Sequence, residues 1–140
     1  MINTKIYKSI YTLAEKLLEA DRKGHQEAFS WLYDELKAIC VDNENTDKDH
    51  PEQWETLADF TAGLDEALVI YDKALEKAKA INSKDHLSSI AFSMAVIQVE
   101  LGQKDAAITS LQNAKITANK IEDKELKVEI DELLTKLLAE

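Results

Sequence analysis

Gly24-His-Gln-Glu-Ala28, Gly63-Leu-Asp-Glu-Ala67 and Gly102-Gln-Lys-Asp-Ala106 decide how this chain of 140 residues is read. They hold all three of its glycines at a constant spacing of 39, and each runs glycine, two variable positions, an acid, then alanine. Self-similarity at a period of about 20–50 residues marks repeat architectures. Glycine takes the left-handed conformation that commonly ends a helix, and an acid in the first turn of the next helix opposes its dipole. Each glycine therefore reads as the stop of one helix and the start of another. The alanine that follows is small enough to let paired helices approach closely.

Outward from these marks, apolar residues recur at helical spacing throughout. Helices are expected over about 3–22, carrying Ile6, Ile10, Leu13, Leu17 and Leu18, and over about 25–41, carrying Phe29, Leu32, Leu36 and Ile39. A third, about 51–62, opens on Pro51, whose missing amide hydrogen is no loss at a first helical position. The fourth, about 64–81, aligns Leu64, Leu68, Tyr71, Leu75 and Ala78, and Asn82-Ser83 offers capping groups for the next start. Three more follow over about 85–101, 103–120 and 123–139. No strand pattern occurs. The expectation is a single all-α domain over 1–140 with three antiparallel helix hairpins, about 3–41, 51–81 and 85–120, stacked as repeats or packed as an ordinary helical bundle. The amphipathic helix at about 123–139 would cover the apolar face of the last hairpin. Its adjacent pairs Leu133-Leu134 and Leu137-Leu138 broaden the apolar arc, so it reads as a capping helix or as one left partly open for self-association.

Composition narrows the function classes. With 45% hydrophobic residues, three Gly and one Pro, the chain is neither collagen-like nor low-complexity nor disordered. A formal net charge of −10 argues against nucleic acid and anionic membrane as partners. No stretch approaches the roughly 20 apolar residues of a membrane span, and the amino terminus lacks the apolar run of a secretory signal. One cysteine, Cys40, cannot form an intrachain disulfide, which points to a cytoplasmic setting and a buried structural thiol.

Catalytic and metal chemistry find no foothold. His25, His50 and His86 lie far apart, and the Glu-x-x-His pairing of di-iron bundles is missing. The acidic run Asp42, Glu44, Asp47 and Asp49 lacks the glycine turn of a calcium loop, and its twelfth position is Gln53 rather than Glu. It reads as a flexible, solvated connection. No nucleophile elbow or phosphate-binding glycine loop is present. The chain is read as non-catalytic, with no metal and no cofactor. Of the aromatics, Trp31 and Tyr33 flank Leu32, so one faces inward and the other outward; Trp54 is read as packing the third helix on its neighbour.

The segment 63–78 resembles the second helix of a tetratricopeptide repeat (TPR), with Ala67, Tyr71 and Ala74 on that family's small-aromatic-small pattern. The carboxy-terminal unit is similar, with Ala95, Leu101-Gly102, Ala107 and Ala114 in place and Leu111 where the aromatic stands. The first unit matches less, keeping Ala28 and Leu32 but placing Glu35 at the second small position. The spacing of 39 exceeds the usual period of about 34. The resemblance implies a right-handed, TPR-like stack of the three hairpins plus the C-terminal capping helix, and binding of a peptide or protein segment along the first helix of each hairpin. Transferred position by position, that surface comprises Tyr7, Tyr11, Gln53, Leu57, Ser89, Phe92, Ser93 and Val96. The basic and amide clamp with which some family members hold chaperone tails does not appear at Ser89, Phe92, Ser93 and Val96. The expected function is thus an adaptor or small chaperone for a neutral or basic, partly apolar segment. The alternative is a structural protein that dimerises through its last helix.

Overall fold

The computed structural model describes residues 2–140, and these are all-helical, with seven helices and no strand among them. The helices are α1 (Thr4–Lys23), α2 (Gln26–Asn43), α3 (Pro51–Asp59), α4 (Leu64–Ala80), α5 (Lys84–Glu100), α6 (Lys104–Ala118) and α7 (Lys124–Ala139). No helix among the described residues is long and apolar enough to cross a membrane.

Local chemistry accounts for the ends. Asn3, Ser83 and Asp123 each stand in extended conformation before a helix, and their side chains accept from the amides of Ile6, His86 and Leu126. His50 does the same for α3, its Nδ1 accepting from the Glu52 amide at 3.1 Å ahead of Pro51. Three helices stop alike. Gly24, Asn82 and Gly102 adopt left-handed φ of 71°, 52° and 74°. The next residue in each case donates its amide back to a carbonyl five positions earlier: His25 to Ala20, Ser83 to Ala78 and Gln103 to Gln98.

Gly63 departs from that reading. It has no positive φ and stands at the start of α4 rather than the stop of α3, its carbonyl accepting from the Ala67 amide at 2.8 Å. The alanines after the glycines differ as well: Ala67 is buried, but Ala28 and Ala106 are exposed. Between α4–α5 and α6–α7 the helix starts correspond at 40 residues rather than 39, a correspondence that α1–α3 do not share. Leu64 and Lys104 open α4 and α6, while Lys84 and Lys124 open α5 and α7. The buried stripe Ala67, Tyr71, Ala74 and Ala78 recurs as Ala107, Leu111, Ala114 and Ala118. Gly63 and Gly102 fall one residue off this period because one begins a helix and the other ends one.

The chain forms two compact units, the first ending at Ile70 and the second running Tyr71–Glu140. In the first, Ile10, Leu13 and Leu17 of α1 share a core with Leu36 and Cys40 of α2 and Trp54 and Leu57 of α3. Helices α2 and α3 run antiparallel. Their joints are Cys40 Sγ to the Gln53 carbonyl at 3.2 Å, Tyr33 to Thr61 at 2.7 Å, and an edge-to-face contact of Phe29 on Phe60. The acidic connection after α2 is ordered by its own side chains: Asp49 accepts from the Asn45 amide and from Trp54 Nε1, both at 2.8 Å. Arg22 and Lys23 close α1 with ion pairs to Glu19, and the Arg22 guanidinium, then the Lys23 ammonium, hold its carboxyl below the usual carboxylate range.

In the second unit, Ala91 and Ala95 of α5, Ala107, Leu111, Ala114 and Ala118 of α6, and Ile130, Leu134 and Leu137 of α7 make one core. Small residues on α5 and α6 allow those helices a close approach. Two side-chain hydrogen bonds cross between them, Ser110 to Gln98 at 2.8 Å and Ser88 with Thr117 at 2.7 Å, fixing an antiparallel register. Lys115 pairs with Asp131 at 3.2 Å, holding α7 antiparallel to α6.

Candidate functional site

Within the second unit, α5 separates two surfaces. Its buried residues, Ser88, Ile90, Ala91, Met94, Ala95 and Gln98, occupy one face of a little under half the circumference, although apolar residues extend beyond it. At about 100° per residue, Leu87, Ala91 and Met94 line one edge of the helix, and Ser89, Phe92, Ser93 and Val96 the opposite edge.

The first edge floors a cleft of about 400 Å³. Leu75 and Lys79 of α4 form one wall, and Ser110, Asn113, Ile116 and Thr117 of α6 the other. Geometry explains the walls. The α4 residues lie about a quarter turn to one side of that helix's buried stripe; on α6, Ser110 and Thr117 lie about as far to the opposite side, and Asn113 and Ile116 farther round. The cleft is an apolar slot: Leu75, Leu87, Ala91 and Met94 supply its interior, and Ile116, 64% exposed, its lip. Hydroxyls and an amide rim it, together with Lys79, which pairs with Glu76 at 3.2 Å. No carboxylate lines it. A volume of this size and lining suits apolar side chains of a ligand whose polar backbone stays at the rim.

The residues expected to meet a partner are distributed unevenly. Ser89, Phe92, Ser93 and Val96 do share one edge of α5; three are half-buried and Val96 is 37% exposed. Phe92 is partly committed to the core, packing beside the α6–α7 cluster. Tyr7 and Tyr11 stand out from α1, where Leu18 continues their exposed stripe. Gln53 and Leu57 are enclosed, at 0% and 1% exposure, and α3 offers neither to an outside molecule. The Gln53 amide donates to the Lys48 carbonyl at 2.8 Å, while its Oε1 is buried without a hydrogen-bond partner among the described residues.

Leu18 and Ile116 are exposed, and Leu75 and Leu87 half-buried, at positions that residue transfer missed. One signal for Ile116 was available: it lies opposite the Ala107, Leu111, Ala114, Ala118 stripe, where a solvated helix face ordinarily carries polar residues. No protein-family model matches the chain, and no curated protein or solved structure matches it either.

Proposed function

We propose that the chain is a TPR-like helical-repeat module, non-catalytic and cytoplasmic, that binds a partly apolar segment of another protein in the cleft between α4, α5 and α6. The observation that carries this reading is the cleft itself: an apolar floor at Leu87, Ala91 and Met94, open between two helix walls, with its polar groups confined to the rim. The recurrence of helix starts and buried stripes 40 residues apart between α4–α5 and α6–α7 supports the repeat reading, since stacked repeats commonly expose an extended binding surface.

Affinity capture with three baits tests it. Wild type and Val96→Arg retain the same partner, and Ile116→Arg loses it. Ile116 and Val96 are both exposed, so neither change removes a core side chain. Loss with Val96→Arg and retention with Ile116→Arg would move the binding surface to the other edge of α5. Self-association through α7 is the competing use. Its stripe is spent on α6, with Ile130, Leu134 and Leu137 buried, which leaves Val128 and Leu138 ten positions apart. Light scattering of wild type and Leu138→Glu should accordingly give the same mass.

A further inference from the structure

The first unit holds a pocket of different character, about 350 Å³, between α2 and the turn that joins α3 to α4. Phe29, Tyr33 and Phe60 form its aromatic side, and Asp34 and Glu66 bring two carboxylates to it. Among the described residues, no lysine or arginine lines it.

Hydrogen-bond accounting sharpens what the pocket wants. The Thr61 hydroxyl donates to the Leu57 carbonyl at 2.8 Å, so its only hydrogen is used. Tyr33, 2.7 Å from Thr61 Oγ1, is then the donor in that pair. The Tyr33 oxygen, its hydrogen committed, keeps acceptor capacity only. Glu66 is held over the start of α4, where a Cβ added at Gly63 would lie 3.4 Å from its Cδ and Oε1. That places its carboxylate near the amide end of a helix, at the pocket. The edge-to-face pair Phe29 and Phe60, with centroids 6.3 Å apart, sets the aromatic wall in turn. Acceptors, negative charge and ring surface thus line one pocket.

We propose that this pocket receives an arginine side chain presented by a partner protein. A guanidinium carries several donors in one plane, forks onto carboxylates and stacks on aromatic rings while staying charged, whereas an ammonium is a compact and more strongly hydrated charge. The chain's net charge of −10 favours the approach of such a group. This site lies wholly within the first unit and its chemistry is independent of the α4–α5–α6 cleft.

The test titrates the full chain with the capped tripeptide acetyl-Gly-Arg-Gly-amide while amide resonances are followed by NMR. Saturable shifts are expected at residues 29–34 and 60–66. The lysine tripeptide should bind more weakly, and the citrulline tripeptide, which keeps the shape but not the charge, should leave the spectrum unchanged. Asp34→Asn and Glu66→Gln should each weaken arginine binding about tenfold, as loss of a charge-assisted hydrogen bond does. Both side chains are exposed, so the folded spectrum serves as its own control. Ile116→Arg should bind the tripeptide as wild type does, which separates failure here from failure of the cleft. Equal binding of the citrulline peptide, shifts confined to other residues, or unchanged affinity in both carboxylate variants would overturn the proposal.

Discussion

At Gly24 and Gly102 the backbone, not the space around it, demands glycine. A Cβ at either position would meet nothing within 4 Å, yet both have φ above 70°. Gly102→Ala should therefore cost about 1 kcal/mol, the strain of a left-handed alanine. Gly63→Ala should cost far less, because its backbone is ordinary and the Glu66 side chain 3.4 Å away can yield by a few tenths of an ångström. Urea midpoints of the two variants measure the difference; equal losses would mean that the glycines do share one role. Sequence reading treated all three alike because composition shows only that a side chain is missing. It does not show which sign φ takes. Asn82 exposes the same gap from the other side. Read as a cap for the next helix, it is the left-handed stop of α4, a position asparagine tolerates because its short side chain can bond locally.

Among the elements, helix number and location were legible, since apolar periodicity and the cap residues Ser83 and Asp123 agree on where helices begin. Helix rotation was not. The apolar residues of α5 spread round much of its axis, so the pattern does not show that Leu87, Ala91 and Met94 form the inner floor of a cleft while Val96 stands exposed. In α3 the difficulty is length: with only nine residues, Gln53 and Leu57 are drawn inward along with Trp54. The cap on α7 offers a clean measurement. Asp123 Oδ1 accepts from the Leu126 amide at 3.0 Å, so Asp123→Ala should cost about 1 kcal/mol. Gln103, before α6, makes no side-chain cap bond, and Gln103→Ala should change stability little. Thermal melts of the pair, with equal destabilisation as the contrary outcome, check the assignment.

Over the molecule as a whole, twenty-seven acids against seventeen bases make charge the longest-ranged property it has. A basic partner segment should associate faster at low ionic strength and progressively more slowly as salt shortens the screening length. Its dissociation rate should move much less. Stopped-flow measurements across a salt series read both rates, and a salt-independent association rate would limit the role of charge to single contacts. Repetition was visible at this scale from the glycines, but its true phase required helix ends, because one glycine opens a helix and another closes one. That phase has a consequence for how such a chain can grow. Residues 83–122 begin on the Ser83 cap and end just before the Asp123 cap, so a second copy spliced after Glu122 would meet the same junction it left. Duplicating those forty residues is therefore expected to add one further pair of helices with a capped start, which circular dichroism of the lengthened chain would register as added helix.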